Sequence, residues 1–229
     1  MHPGNDIHPS CIIGERVLMG VGNQILPNTI ILGPVTIGDN NIIGPNVVIG
    51  VTGGDSRNPR YDSSNCPIEI GSNNIIREFT AIQKPAYTEL TRLGSNIFLM
   101  QSLHIPHDVK IDDDVVVSPH VALGGHSHVM QGANVGMGAN VHQFSVIGPY
   151  SMIAMGSAVV KNVKPFAKYI PGKKLGVNSY AIRKFGLQEI EAEINAYVLE
   201  GASPVSEQFK SMVSAFEELH EASGRKLYT

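Results

Sequence analysis

Tryptophan is absent from the 229 residues, and cysteine occurs only twice, at Cys11 and Cys66. Two cysteines cannot build a disulfide framework, and their scarcity points to a reducing compartment. Charge is also sparse: 16% of residues are charged, against ~25% in an ordinary globular chain. With 42% apolar residues, that composition excludes intrinsic disorder. A net charge of −3 excludes a general nucleic-acid binder. No apolar run approaches the ~18 residues that a membrane-spanning helix needs. The opening Met1-His2-Pro3-Gly4-Asn5-Asp6 has neither a basic start nor an apolar core, so no signal peptide is expected. A soluble, cytoplasmic protein is the expectation.

What the chain has is a period. Ile7, Ile13, Met19, Ile25, Ile31, Ile37, Ile43 and Ile49 fall six residues apart. The step resumes at Ile70, Ile76 and Ile82, and then runs unbroken from Leu93 to Val159. Gly often follows the aliphatic residue, as at Gly14, Gly38, Gly94 and Gly124. Four places after it, small or β-branched residues recur, among them Val17, Val35, Val47, Val115, Ala133 and Ser145. A helix wants spacings of three and four and a strand wants two, so a strict six fits neither. It fits a parallel β-helix of short flat strands, three hexads to a triangular coil. Twenty-three hexads give seven to eight coils, a prism ~35–40 Å tall at ~4.8 Å per coil. The β-helix is expected over residues 1–162, with loops ejected near 52–67 and 84–92, where polar and turn residues break the register. Loops on rigid scaffolds are where ligands are usually handled.

Past Val159 the hexads stop. Seven basic residues (Lys161, Lys164, Lys168, Lys173, Lys174, Arg183 and Lys184) fall in 24 residues without an acid, a site for phosphate or an acidic carrier protein. A helical pattern begins at Leu187 and breaks at Gly201, and a second helix is expected from Pro204. Residues 163–229 therefore read as a basic connector followed by a small α-helical hairpin.

The histidines are placed by the period. At 18 residues per coil, His107 and His126 should sit nearly stacked, with His142 on the next coil, so three imidazoles would line one edge of the prism. Here the motifs become specific. Ile75-Ile76-Arg77-Glu78-Phe79, His104-Ile105-Pro106-His107-Asp108, Leu123-Gly124-Gly125-His126, Val141-His142-Gln143-Phe144 and Gly176-Val177-Asn178 resemble the UDP-N-acetylglucosamine acyltransferases of lipid A biosynthesis, over roughly residues 5 to 190. Members of that family are left-handed β-helix homotrimers. They transfer a (3-hydroxy)acyl group from acyl carrier protein to the sugar 3-hydroxyl.

The resemblance implies a role for each matching residue. His107 would be the general base, since imidazole exchanges protons near neutral pH. The Gly125 N–H would donate to the oxyanion, and Asp108 would orient His107. Neighbours in a flat strand point to opposite faces, so that last pairing needs a turn. His104, His126, His142 and Gln143 would line the cleft. Asn178 and Arg183 would meet the nucleotide from an adjacent chain. Met155 would form the floor of the acyl groove and select a shorter chain than Gly would at that position. The partners implied are acyl carrier protein as co-substrate, a UDP-sugar and two further copies of the chain; neither a metal nor another cofactor is implied.

Two departures stand out. The family's consecutive arginines read Arg183-Lys184-Phe185 here, and Lys lacks the bidentate fork of Arg. Its acceptor-contacting acid, expected in the first loop, is matched by Asn58, followed by Arg60 and Tyr61, with Asp55 as a substitute if the loop is rearranged. Acceptor identity, hydroxyl against amine, therefore stays open. An N- or O-acyltransferase for another nucleotide sugar, with acyl-CoA as donor, is the alternative. A γ-type carbonic anhydrase would want a His pair five residues apart, which the cleft histidines do not supply. A non-catalytic scaffold leaves the spaced histidines beside Gly125 unexplained.

Overall fold

The computed structural model describes residues 4–54 and 65–229. The hexad dictates its architecture. The aliphatic residue of each hexad points inward from a strand of two to four residues, and every one from Ile25 to Val159 is at most 4% exposed. Ile7, Ile13 and Met19 are only partly buried, because the first coil forms the open end of the prism. The small residues four places on are buried at the turns, Val giving way to Ala133 and Ala139 and then to Ser145, Ser151 and Ser157.

Eighteen-residue coils stack into three sheets of ten, eight and seven strands. These form the β-helical prism expected from the repeat, left-handed as the family resemblance implies. The register is strict: on the second sheet Ile31 pairs with Ile49, Ile49 with Ile82 and Ile82 with Ile105. The first ejected loop does not disturb the stacking, because Ile68–Ile70 beyond it still pairs with Val35–Ile37. The second is shorter than expected. Thr91–Leu93 is already a strand, so the loop covers residues 84–90.

A turn closes most hexads with a residue in the left-handed region, usually three places after the aliphatic. Asn28, Asn40, Asn46, Asn73 and Asn96 are of the type that tolerates it. Asp108 (φ +63°), His126 (φ +59°) and Phe144 (φ +62°) occupy the same turn position. The local rule that shapes most corners therefore also shapes the site.

One corner is stitched by an asparagine ladder. Asn23, Asn41 and Asn74 are buried, and the side-chain oxygen of each accepts the backbone N–H of the ladder residue on the next coil, or of Ile97 at the end. Replacing Asn41 with alanine should destabilise the fold by about 1–3 kcal/mol, because the Asn74 N–H is left buried without its acceptor. Denaturant unfolding checks this; a midpoint unchanged from wild type would show that the ladder adds nothing.

The parallel stacking continues past residue 162. Ala167–Tyr169 pairs with Met152–Ile153, and Tyr169 takes the inward place opposite Ile153. The interval there is sixteen, which a six-residue step cannot see. Gly176–Val177 then turns back antiparallel. The helical segment starts earlier than Leu187: α1 (Ser179–Lys184) lies inside the basic stretch, and Gln188–Glu200 is one helical run of three pitches containing α2 (Glu191–Asn195). Helix α3 (Glu207–Ser223) begins not at Pro204 but after Ser206, whose hydroxyl oxygen accepts from the Phe209 N–H. Glu193 of α2 accepts from the Val205 and Ser206 backbone and from the Ser206 hydroxyl, which fixes that start. None of the helices among the described residues is long and apolar enough to cross a membrane.

Candidate active site

The corner between the second and third sheets gathers the chemistry. His104 stands on the second sheet, and the chain turns at His107 and Asp108 before the next strand at Lys110. One coil on, Gly125 and His126 occupy the same places, and Gln143 and Phe144 do so a coil later. The left-handed turn at Asp108 resolves the objection raised by strand geometry. It brings the two neighbouring side chains together, with Asp108 Oδ2 2.7 Å from His107 Nδ1.

Asp108 is the hub. Its side chain is fully buried and accepts from the Ala86, Tyr87 and Thr88 backbone N–H groups and from the Thr88 hydroxyl at 2.6 Å. The ejected loop 84–90 is thus folded around a carboxylate. Burial alone would push the Asp108 carboxyl up; the donors from Thr88, His107 and Ala86 outweigh it and hold it below the ordinary value. An ionised Asp108 requires that His107 Nδ1 carry a proton, which leaves Nε2 with a free lone pair. His126 Nε2 lies 3.5 Å from the same carboxylate oxygen.

The rings do not stack as the spacing suggested. His107 and His126 meet edge to face at 5.6 Å, while Phe144 stacks flat on His126 at 4.5 Å and Tyr87 leans on both histidines. His107 opens onto a groove of about 440 Å³ with His104, Gln83, Gly124, Gly125, Gln143 and Gly54. His126 faces instead a groove of about 410 Å³ on the third sheet, walled by Leu219 of α3. Burial pushes both His104 and His126 down, so each imidazole favours its neutral form; a proton taken up by His107 would add to this, and Asp108 opposes it at His126.

Two glycines fit around the His107 ring. A Cβ on Gly125 would lie 2.6 Å from its Cε1 and 2.8 Å from its Nε2, and one on Gly53 would lie 2.9 Å from its Cβ. The Gly125 N–H occupies the second turn position. At another corner the equivalent N–H groups of Val21, Asp39, Ser72 and Ser95 are capped by side chains of the next coil. Among the described residues nothing accepts from the Gly125 N–H. It is a backbone donor close to the His107 ring.

His107, Asp108 and His126 bring ligand-type atoms within 4.8 Å of one another, a set that could hold a metal ion. The carboxylate oxygens that such an ion would need already accept from the loop donors.

Other expected residues are placed differently. His142 does not line the His107 groove; its Nδ1 faces Arg225 at 2.6 Å. Asn178 is 4% exposed and structural, donating to the Tyr150 carbonyl and capping α1 by accepting from the Ala181 N–H. A side chain committed to a helix cap is poorly placed to meet a nucleotide. Arg183 and Lys184 are exposed on α1 and do not line the groove within one chain. Met155 is 69% exposed at the opposite corner of the second sheet, three coils beyond His107, roughly 14 Å along the axis. Asp55, Asn58, Arg60 and Tyr61 lie outside the described residues, though Gly54, just before them, lines the groove. Sequence reasoning missed Thr88, Tyr87 and Arg225, because none belongs to the hexad pattern.

Comparison with known proteins agrees with this arrangement. Residues 19–50 match the bacterial transferase hexapeptide family (six repeats). An acyl-[acyl-carrier-protein]–UDP-N-acetylglucosamine O-acyltransferase from Alkalilimnicola ehrlichii is 32% identical over 140 residues, 59% of this chain and 54% of that protein. The protein of the same name from Nautilia profundicola is 34% identical over 175 residues, 72% of this chain and 67% of its own length. The chain thus spans between about half and two thirds of these relatives. The crystal structure of UDP-N-acetylglucosamine O-acyltransferase from Moraxella catarrhalis superposes with a TM-score of 0.80 at 26% identity, covering 100% of this chain and 99% of that one. Sequence over two thirds of the Nautilia relative, and fold over the whole Moraxella chain, lead to one conclusion: this chain belongs to the acyl-[acyl-carrier-protein]–UDP-N-acetylglucosamine O-acyltransferase family.

Proposed function

We propose that the chain transfers a (3-hydroxy)acyl group from acyl carrier protein to the 3-hydroxyl of UDP-N-acetylglucosamine, the first step of lipid A biosynthesis. One observation carries the proposal: a buried carboxylate orients His107 beside a backbone donor, Gly125 N–H, that nothing among the described residues engages. His107 Nε2 takes the proton of the attacking sugar hydroxyl as its oxygen bonds to the thioester carbon. The carbonyl electrons move to the oxygen, and Gly125 N–H donates to the oxyanion. Collapse restores the carbonyl and breaks the carbon–sulfur bond. The proton on Nε2 then passes to the departing thiolate, so the base is regenerated and no covalent enzyme intermediate forms.

In this reading three copies associate through the flat walls of the prism, and Arg183 and Lys184 of a neighbour approach the nucleotide. The acid-free basic stretch from Lys161 to Lys184 meets the acidic carrier protein. The acyl chain crosses the second sheet diagonally over His104, Ala122 and Asn140, which project outward in register, toward Met155.

The test is acyl transfer from a ladder of 3-hydroxyacyl carrier proteins to UDP-N-acetylglucosamine and, in parallel, to a UDP-amino sugar. His107→Ala serves as control and should lose about 10³-fold in kcat/KM or more. Transfer to the amino sugar alone would move the assignment to the amide-forming alternative; no transfer to either by a trimeric preparation would refute the proposal. Met155→Gly should shift the preferred donor to a longer chain, read from the same ladder. An unchanged optimum would show that the thioether does not close the groove.

A further inference from the structure

Arg225 joins the segment beyond α3 to the catalytic corner. That segment is bound to the last coils: Asn162 N–H donates to the Lys226 carbonyl, Tyr228 N–H to the Asn162 carbonyl, and the Tyr228 ring stacks on Tyr169 at 4.2 Å. Held there, Arg225 donates from Nη1 to the Val160 carbonyl at 2.8 Å and points Nη2 at His142 Nδ1, 2.6 Å away.

A guanidinium keeps its protons at any pH a protein meets, so each of its nitrogens is a donor only. His142 Nδ1 has a second neighbour, the Gln143 carbonyl at 3.2 Å, to which a protonated Nδ1 could donate. Both contacts cannot be satisfied by one state, since an N–H on Nδ1 would face an N–H of Arg225. The shorter, charge-assisted contact decides: Nδ1 accepts, and the proton of the neutral ring sits on Nε2.

We infer that Arg225 is a positioning residue that fixes His142 as an Nε2–H donor to an oxygen of the UDP-sugar. This rests on the proposed acyltransferase reading together with the cleft role that the family resemblance implies for His142, an exposed side chain next to Gln143, which does line the His107 groove. It separates the roles of two histidines that lie two coils apart at the same corner. Asp108 accepts from His107 Nδ1, which keeps the ring proton there and leaves Nε2 a base, whereas Arg225 does the reverse to His142 and leaves it a donor. A region outside the hexad repeat thereby completes a site that the repeat builds.

The experiment reads the tautomer directly. Histidine-selective ¹⁵N spectra of the substrate-free protein, with the His142 signals assigned through His142→Gln, should show Nδ1 as a bare accepting nitrogen. In Arg225→Met the proton should move toward Nδ1, which then donates to the Gln143 carbonyl. In the same variant KM for the UDP-sugar should rise about tenfold with kcat within about twofold, and Arg225→Lys should recover part of it; thermal unfolding confirms that each variant is folded. A protonated Nδ1 in the wild type, or signals unmoved in Arg225→Met, overturns the inference. So does a moved proton with an unchanged KM. A wild type that transfers no acyl group overturns the reading beneath it, and is distinguishable because the tautomer is measured without substrate.

Discussion

Gly125→Ala should lose about 10³-fold in kcat/KM while the β-helix melts within a degree or two of wild type. The backbone at Gly125 is not in the left-handed region, so alanine costs the turn nothing in conformation. The cost falls on His107, because the new methyl carbon would lie 2.6 Å from Cε1, 2.8 Å from Nε2 and 3.2 Å from Nδ1. Contacts that short force the ring to rotate, and rotation breaks the 2.7 Å bond to Asp108. The base is then misplaced, and the methyl occupies the space where the reacting carbonyl must approach the Gly125 N–H. Gly124→Ala, one residue earlier, is the control. Its Cβ would meet backbone, 2.3 Å from Gln143 N, so that variant should fail in folding rather than in rate. Steady-state kinetics beside thermal unfolding separates the two. Activity in Gly125→Ala within tenfold of wild type would mean that His107 has room the structure denies it.

That contrast also shows what the sequence could and could not disclose. The hexad made the prism legible, because a period of six forces three flat strands per turn and each aliphatic position had one place to go. The corner chemistry was legible only as a column: His107 above Gly125 and Gln143 follows from eighteen residues per coil. Orientation was not. That Asp108 turns toward His107 depends on a left-handed turn, and that His126 faces a different groove from His107 depends on the same turn one coil later. Thr88 could not be found, because an ejected loop has no register from which to compute its neighbours. The cap that Asn178 makes on α1 went unseen for a related reason. Asn before a helix is a capping residue by local physics, and α1 was hidden inside a stretch read for its charge. Tyr169 escaped because the last coil is two residues short.

Asp108→Asn should cost up to about 10⁴-fold in kcat/KM, the loss that a reversed tautomer brings. The loop around Asp108 offers only donors: the Ala86, Tyr87 and Thr88 N–H groups and the Thr88 hydroxyl. An asparagine that gives its single oxygen to the Thr88 N–H and hydroxyl, in the Oδ1 place, points its NH₂ from the Oδ2 place at His107 Nδ1. That nitrogen can then no longer donate, the ring proton moves to Nε2, and the base is lost with every heavy atom near its place. Thr88→Val keeps the carboxylate and should cost only about tenfold, through a less constrained dyad. The acid side separates the stability contributions. Asp108 is held below its ordinary pKa, so its stabilisation is full above the unfolded carboxyl value and is lost as pH falls through the folded one. His104 and His126 are depressed by burial, so the unfolded chain takes up their protons first, and stability begins to fall as pH drops below ~6.5. Unfolding midpoints from pH 8 to pH 3 should therefore decline in two stages; Asp108→Asn should flatten the lower one and deepen the upper, because the carboxylate that opposes the depression of His126 is gone. If Asp108→Asn retains activity within a few-fold of wild type, His107 does not take its tautomer from Asp108, and the dyad has no part in the chemistry.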